Sequence, residues 1–568
     1  MRSSSVLRSC LLFSALLLGC ATGAQAPTDT PRAGPVPTSA PTVPAQPSPT
    51  PASVAPKPSP TTKAVGPKYG GTLTNRIAAD PEKWDPHDNH LENNQSVFNL
   101  VHGRLLSHNY GAPACLDDPP EGDLAESWTW LDDLTLDIKL RPGIRFQGAA
   151  PVGNRELVAE DVVHSMKDSY AREDYMKPNA DITRDISAVD KYTVRFRLSQ
   201  PYVDYVKMGP VRYPVVILAP ELNTAGKKWT FRDHVGTGTG PFVLKDYLPG
   251  VKVELEKNPG YFKAGLPYLD AMTLLIVPDE STAVSLLRSG RIDVALILGA
   301  PAVDAIKLTA PKLAVQTCGY HASTVVFWRT DKPPFNNVQV RRALSMAVDR
   351  DAFNKTVWLG TGTPRWSPVH PLLGDWAIKP EAIPADVRQY TEYHPDRAKT
   401  LLASAGYATG PEVKLVYRDV FASVAEAIHA SWTSVGAKVT LAQLERGAYN
   451  TAVVEKADYE DAALSYASAL TVDEAIYTYF RSGMPRNRSH MGDPELDRML
   501  DAQRTMLDES QRKKVVDEIQ IRLMRDQYML VLPMSSRSWV LQPWVKNTWY
   551  KPPHSAVTEF LRFAWLDK

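Results

Sequence analysis

Apolar and polar positions between residues 320 and 364 predict a strand, a turn, two helices and a loop. Residues 323–328 are β-branched and aromatic, as expected for a buried strand, and a pair of prolines then ends it. Apolar residues recur at i, i+3, i+4, i+7 and i+8 over 340–348, which marks one face of a helix. Asp351 can cap a second short helix. This pattern alone indicates an ordinary α/β unit.

The same two periods recur along the rest of the chain. Alternating or continuously apolar stretches predict further strands at 135–141, 192–198, 242–247, 252–256, 413–417, 438–444 and 461–466. Helical spacing covers 424–435 and 511–526. In the second half, strands and helices alternate, which predicts a mainly parallel sheet covered by helices.

Size, charge and cysteine content exclude several classes of protein. A chain of 568 residues needs more than one hydrophobic core. A net charge of +1 gives no electrostatic footprint for nucleic acid. Four cysteines without a C-x-x-C motif make neither a disulfide scaffold nor a zinc site. The alternative of a secreted hydrolase lacks G-x-S-x-G and H-E-x-x-H motifs, so we expect no enzyme, metal or cofactor.

The N-terminal stretch is typical of a secreted protein. Two arginines precede the apolar run 11–18, which is too short to span a bilayer and reads as a signal peptide. The run ends in Leu-Leu-Gly-Cys20, similar to a bacterial lipobox, which implies a signal peptide at 1–19 and a lipid on Cys20. Cleavage near Ala24 or Ala26 is the alternative. Proline, threonine and serine dominate 20–67, which predicts a disordered tether.

Several longer motifs occur in a fixed order. They are YGGTLT at 69–74, LAESW at 124–128, GTGPF at 238–242, NPGYF at 258–262, LRSGRID at 287–293 and KPPFNNVQVRRALSMAVDR at 332–350. Together they resemble the signature of the family 5 extracellular solute-binding proteins. These are capture subunits of ABC importers for oligopeptides, dipeptides, nickel complexes and some oligosaccharides. The resemblance extends from about residue 70 to about residue 544.

This resemblance implies an α/β protein with the two-lobed periplasmic-binding-protein type II fold (cluster C) and an extra subdomain in the first lobe. The expected divisions are a first lobe at 68–320 with an inserted subdomain at about 95–225, a second lobe at 321–534 and a return to the first lobe at 535–568. The implied function is capture of a peptide-like or other polar solute and delivery to a permease and ATPase complex. A monomer anchored by lipid in the cell envelope is expected.

By the same resemblance the ligand lies between two lobes that close on a hinge. The residues expected to bind it are His90, Asn93, Tyr320, His321, Arg365, Trp366, Tyr466, Ser468, Asp473, Ser536 and Arg537. Each has a structural alternative, because the aromatic residues can belong to the core and the arginines to the solvated surface.

One departure from the family pattern concerns the ligand. Peptide-binding members carry an aspartate that pairs with the peptide ammonium, and Ala469 stands at that place here. A buried ammonium without a counter-charge is costly, so Asp473 would have to substitute or the ligand differs. A non-peptide ligand such as an oligosaccharide or metal chelate, and a signalling or chaperone-like role, remain alternatives. Cys115 and Cys318 would either pair or stay free buried thiols.

Overall fold

Two separate β-sheets, joined by two connecting segments, organise the described part of the chain. The computed structural model describes residues 66–87, 92–107, 120–172, 176–209, 215–222, 228–298, 300–548 and 558–568. These residues all belong to one unit, Gly66–Lys568. The predicted signal peptide, Cys20 and nearly all of the predicted tether lie outside the described ranges. No helix in those ranges is long and apolar enough to cross a membrane.

The strands follow the alternating and apolar stretches of the sequence. In chain order they are β1 (Thr72–Ile77), β2 (Leu106–Ser107), β3 (Glu121–Gly122), β4 (Ala125–Asp132), β5 (Thr135–Leu140), β6 (Thr183–Asp190), β7 (Thr193–Leu198), β8 (Phe242–Leu248), β9 (Lys252–Lys257), β10 (Ala271–Ile276), β11 (Val294–Ile297), β12 (Ala314–Gly319), β13 (Ala322–Trp328), β14 (Glu412–Arg418), β15 (Lys438–Leu444), β16 (Ala462–Ser468), β17 (Met529–Val531), β18 (Ser536–Leu541), β19 (Val545–Lys546) and β20 (Trp565–Leu566).

The helices cover the sheets. In chain order they are α1 (Glu92–Val101), α2 (Ala159–Arg172), α3 (Lys177–Ala180), α4 (Tyr205–Met208), α5 (Glu280–Arg288), α6 (Ala300–Thr309), α7 (Val338–Met346), α8 (Arg350–Val357), α9 (Ala385–Arg388), α10 (Pro395–Ser404), α11 (Ala422–Ser434), α12 (Arg446–Tyr449), α13 (Val472–Phe480), α14 (Pro494–Arg504) and α15 (Glu509–Asp526). The strand and helix predictions listed above are confirmed within a few residues. The cap of α8 is Asp349 rather than Asp351, because its carboxylate accepts the first free amide hydrogens.

The first sheet has the order β12-β18-β11-β1-β10-β9-β8 among the described strands. Its centre is parallel, because β1 runs parallel to both β10 and β11, while the flanking pairs are antiparallel. Apolar clusters cover this sheet, with Leu73, Leu255 and Leu274 in one of them and Leu287 and Ile306 in another. This sheet is the body of the first lobe.

The second sheet has the order β15-β14-β16-β13-β17 within the described part of the chain. β14 runs parallel to β15 and β16, as the alternation of strands and helices predicts. β13 and β17 are antiparallel to their neighbours, so the sheet is mixed rather than mainly parallel. β13 is buried along its whole length, at the centre of the largest apolar cluster. This sheet is the body of the second lobe.

A third sheet, β4-β5-β7-β6, forms a subdomain with its own core. Its strands β5 and β7 alternate between buried and more exposed positions, and α2 packs on the buried face with Val162 and Met166 in the core. Tyr202 and Tyr205 at the end of this subdomain are also buried. The subdomain therefore folds beside the first sheet rather than as part of it.

Two segments, 319–322 and 532–536, connect the two sheets, and we call them together the crossing. The backbone amide of Tyr320 donates to the carbonyl of Ser535 at 2.9 Å. Thr363 and Met534 exchange two backbone hydrogen bonds of 2.8 Å. The outgoing and returning segments thus lie side by side, as in hinges between lobes.

Cys318, at the end of β12, is disulfide-bonded. This excludes the free buried thiol for that residue. The other cysteines of the sequence, Cys10, Cys20 and Cys115, lie outside the described residues, so the pairing with Cys115 stays a prediction.

The stacked tryptophans of the second lobe give a test of its core. Trp432 is fully buried, stacks on Trp328 with ring centroids 5.5 Å apart, and donates its indole hydrogen to the Leu344 carbonyl at 3.1 Å. We expect Trp432→Ala to lower the free energy of unfolding by about 3–5 kcal/mol, because it leaves a cavity and an unpaired carbonyl. Chemical denaturation measures this. Trp130→Ala, at a 38% exposed position, is the matched control, and an equal loss there would contradict the assignment.

His370 gives a test by pH. Burial, with the nearby Arg365 charge, lowers the pKa of His370 from 6.5 to about 4, while its Nε2 donates to the Ala469 carbonyl at 2.9 Å. Below pH 6.5 the imidazole of His370 becomes protonated in the unfolded chain but stays neutral in the folded protein. The free energy of unfolding therefore falls as the pH drops from 6.5 to 4. The loss should reach about 3 kcal/mol.

The measurement is the free energy of unfolding against pH for the wild type and for His370→Gln. In His370→Gln, the free energy of unfolding should fall less steeply between pH 6.5 and 4 than in the wild type. His394→Gln, at a half-exposed position of the second lobe, is the matched control for replacing a histidine by glutamine. Identical slopes for the wild type and His370→Gln would show that His370 is not held neutral by the fold.

Candidate functional site

Side chains from both lobes meet at the crossing. The Arg537 guanidinium, on β18, lies 3.3 Å from the centroid of the Tyr320 ring and pairs with the carboxylate of Glu92 at the start of α1. The Tyr320 ring also contacts the Tyr466 ring of β16 edge-on, with centroids 6.2 Å apart. We call these four residues the crossing cluster.

The second lobe extends the cluster with aromatic rings and one cation. The rings of Phe421 and Tyr466 lie 4.8 Å apart, and that of Tyr449 follows at 6.2 Å from Phe421. The Arg418 guanidinium lies 6.0 Å from the Phe421 ring and 5.9 Å from the Tyr449 ring. No described carboxylate lies within ion-pair distance of Arg418. We call Arg418 and the rings of Phe421, Tyr449 and Tyr466 the aromatic wall. It presents a positive charge that no described carboxylate neutralises.

Burial raises the pKa of the Tyr466 hydroxyl, although the charges of Arg537 and Arg418 oppose the shift. The hydroxyl therefore stays protonated at neutral pH and can donate a hydrogen bond. The wall thus offers a donor, a cation and stacked ring faces.

The first lobe contributes a small polar cavity of about 40 Å³, lined among others by Asn75, Glu92, Asn93 and Trp539. Asn75 is fully buried on β1, and neither atom of its amide has a hydrogen-bond partner among the described residues. Buried amides are normally paired, so an unpaired one beside the crossing cluster is a place where a ligand could bond.

The structure brings together some of the residues that the sequence predicts. Tyr320, Tyr466 and Arg537 contact one another, and His321 packs against Tyr320 with ring centroids 5.0 Å apart. Asn93 lies beside them in the first-lobe cavity.

Two predicted serines lie at the edge of this region. Ser468 stands opposite Ala322 in the β13–β16 pairing, and its backbone amide donates to the Tyr479 hydroxyl at 2.8 Å. The Ser536 hydroxyl donates to the Thr361 carbonyl at 2.8 Å. His90 lies outside the described residues. The ligand-binding roles of all these residues stay predictions.

Arg365 and Trp366 lie away from the crossing cluster. Both line a cavity inside the second lobe, together with Arg350, and Arg365 is 2% exposed. The alternative that Arg365 is a solvated surface residue is therefore wrong, because its guanidinium is buried.

Asp473 lies at a contact between the second lobe and the subdomain. Its carboxylate accepts hydrogen bonds from the Tyr202 hydroxyl at 2.6 Å, from the Gln503 amide, and from Arg504 Nε at 3.2 Å. It is fully buried. A carboxylate so engaged is not open to a ligand ammonium, and we do not retain Asp473 as the substitute partner. Ala469 is likewise buried in the second-lobe core.

The sequence reasoning missed five candidate site residues: Arg418, Phe421, Tyr449, Asn75 and Glu92. A sequence signal existed for Arg418, which ends β14 at the carboxyl edge of parallel strands, where ligands usually bind in α/β sheets. Asn75 had none, because β1 reads TLTNRI and several of its residues are polar. Among the described residues, no group of three or more His, Cys, Asp or Glu could hold a metal.

Comparison with known proteins places this geometry in a family. Heme-binding protein A of Haemophilus influenzae is 31% identical over 396 residues, which are 64% of this chain and 66% of that protein. Periplasmic oligopeptide-binding protein OppA of Escherichia coli is 25% identical over 514 residues, 85% of this chain and 90% of OppA. The chain thus spans just under two thirds of the first relative and nine tenths of the second.

The fold is also that of a solved structure. The ABC transporter-associated periplasmic binding protein DppA of Helicobacter pylori, in complex with the peptide STSA, superposes with a TM-score of 0.75. The alignment covers 88% of this chain and 99% of that one, at 24% identity, so it supports the fold alone. The family model for bacterial extracellular solute-binding proteins, family 5 (middle part), matches residues 119–486, which is more than half of the chain. This chain therefore belongs to the bacterial extracellular solute-binding proteins of family 5.

Proposed function

We propose that this protein is the solute-capturing subunit of an ABC importer. It encloses a small polar solute between its two lobes and delivers it to a membrane permease and its ATPase. The observation that carries this proposal is the crossing cluster, because Glu92 and Arg537 from the first lobe meet Tyr466 from the second around Tyr320. Sites at such interfaces suit ligands that are held by lobe closure.

The charges around the cluster favour a solute with an acidic group. Arg537 has its counter-charge in Glu92, whereas Arg418 lies in the aromatic wall without a described carboxylate partner. A guanidinium binds a carboxylate through two parallel hydrogen bonds, and such charged bonds are among the strongest in proteins. We infer that Arg418 binds the acidic end of the solute while Phe421 and Tyr449 cover its body.

A peptide is the first candidate, since one relative is named for oligopeptides and the DppA structure holds a tetrapeptide. A non-peptide acidic solute is the second candidate. Ala469 and the engaged carboxylate of Asp473 leave no predicted aspartate for a peptide ammonium. The relative named for heme supports this second candidate, because heme also carries carboxylates.

We further propose that the protein acts outside the cytoplasm as a non-enzymatic, lipid-anchored monomer. The support is the family, whose members are extracellular solute-binding proteins, together with the lipobox-like sequence ending at Cys20. A tether at 20–67 would let the lobes reach the permease without leaving the membrane surface. We also propose lobe boundaries at residues 320 and 534, because the two connecting segments of the crossing lie at these positions.

The first experiment is native mass spectrometry of the gently purified protein, followed by identification of what denaturation releases. A mixture of peptides would support the first candidate, and a single non-peptide acid the second. Binding should also raise the melting temperature by mass action. An empty protein whose melting temperature responds to no peptide, heme or small acid would contradict solute capture.

Arg418→Gln tests the inferred ligand contact. We expect it to weaken binding of the identified solute by about ten-fold to one hundred-fold, because a charged hydrogen bond contributes about 1.5–3 kcal/mol. Isothermal titration calorimetry measures the affinity. Amidation of the solute's carboxylate should weaken wild-type binding similarly and should add little to the loss in Arg418→Gln.

Lys414→Gln is the matched control, since Lys414 lies on the same strand but pairs with Glu460 at 3.0 Å on the exposed surface. Its affinity should equal that of the wild type. Equal losses in both variants, or a full amidation effect that persists in Arg418→Gln, would show that Arg418 does not bind the acidic group.

A further inference from the structure

A cavity of about 210 Å³ lies inside the second lobe, between α8, the loop after it and the return segment of the crossing. Arg350, Arg365, Trp366, Thr391, Tyr393 and Pro533 are among the residues that line it. Its volume is below the usual 300–1,000 Å³ of drug-sized ligand sites, so its occupant would be small. None of the four residues of the crossing cluster is among those lining it.

Arg365 carries a donor that has no partner. Its Nε donates to the Ser367 carbonyl at 2.8 Å, and its Nη2 donates to the Pro368 carbonyl. Its Nη1 is buried and makes no hydrogen bond among the described residues. A buried polar group without a partner costs about 1–3 kcal/mol, and more when the group is charged. The fold therefore leaves one buried guanidinium donor of a cavity-lining residue without a partner among the described residues.

Arg350 brings a second, half-buried cation to the same cavity. It donates to the carbonyls of Thr391 at 2.8 Å and Val531 at 3.2 Å, and to the Ser345 hydroxyl at 3.0 Å. These partners are all neutral. Burial lowers the pKa of Arg350 to about 10 and that of Arg365 to about 9, so both remain charged at neutral pH.

The acidic residues that also line the cavity do not neutralise these charges. Asp349 caps α8, accepting from the amides of Asp351 and Ala352. Glu392 pairs with Arg388 at 3.1 Å. Asp351 is exposed. Among the described residues, no carboxylate lies within ion-pair distance of Arg350 or Arg365.

We propose that this cavity binds a small oxyanion, a phosphate-like or short carboxylate ion, through the unpaired Nη1 of Arg365 and the charge of Arg350. Guanidinium groups match the oxygen geometry of both kinds of ion. This second-lobe site goes beyond the proposed function, because it is separate from the crossing cluster and needs no transported solute.

The test is a titration of the full protein with sodium phosphate, sulfate, acetate or chloride at constant ionic strength, followed by melting temperature and calorimetry. Phosphate and sulfate, or acetate, should raise the melting temperature in a saturable way that chloride does not reproduce. A response to the tetrahedral ions alone assigns a phosphate-like occupant, and a response to acetate alone assigns a carboxylate. No saturable response to any oxyanion would overturn the proposal.

Arg365→Met should weaken the oxyanion response at least ten-fold, because it keeps an unbranched apolar side chain and removes the charge and the donors. Arg525→Met is the matched control: Arg525 is 46% exposed and lies 3.8 Å from Asp386, and its loss should leave the response intact. An undiminished response in Arg365→Met would place the anion elsewhere.

A second measurement does not depend on a variant that folds. Crystals of the wild type soaked in selenate should show anomalous density within hydrogen-bond distance of Arg365 Nη1. Where the titration assigns a phosphate-like ion, selenate density only at other positions would overturn the proposal. Solute affinity at the crossing cluster is measured separately, so failure of one site can be told from failure of the other.

Discussion

The backbone pairing of the two connecting segments is the constraint on which the rest of the structure depends. Buried amides and carbonyls must find partners, and at the crossing Tyr320 pairs with Ser535 of the returning segment, while Met534 of that segment pairs with Thr363 in the loop after α8. This pairing fixes the distance between the lobes at one edge. It also brings the ring of Tyr320 beneath the guanidinium of Arg537, so the same contacts that join the lobes build the centre of the candidate site.

The cost of removing charged side chains from water explains how the charges are distributed in this protein. Where a cation and an anion are both available, they pair, as Arg537 does with Glu92 and Arg504 with Asp473. Side chains in such ion pairs already have a partner, so they are poorly suited to bind a ligand. The cations that the fold leaves without a carboxylate, such as Arg418 and Arg365, are the informative ones. The proposed solute at the lobe interface and the proposed small anion inside the second lobe would each supply a negative charge to such a cation.

The subdomain holds the second lobe through polar contacts rather than through a shared sheet. Tyr202 donates to Asp473, and Asp204 pairs with Arg512 at 3.1 Å, all in buried positions. These contacts lie far from the crossing in sequence and give the two lobes a second point of attachment. They also explain why Asp473, in the first turn of α13, has a structural role that its neighbours in sequence do not reveal.

The sequence by itself determined the elements and the family. Periodicity is a local property, so the buried strand β13 and the apolar face of α7 follow from their own residues. The motifs and their order predicted the two-lobed fold through the resemblance to the family. Only the tertiary structure decided which charges are free, because partners such as Arg537 and Glu92 stand 445 positions apart. It likewise decided that β13 runs antiparallel to β17, since the chain enters the second lobe on β13 and leaves it on β17 through one crossing.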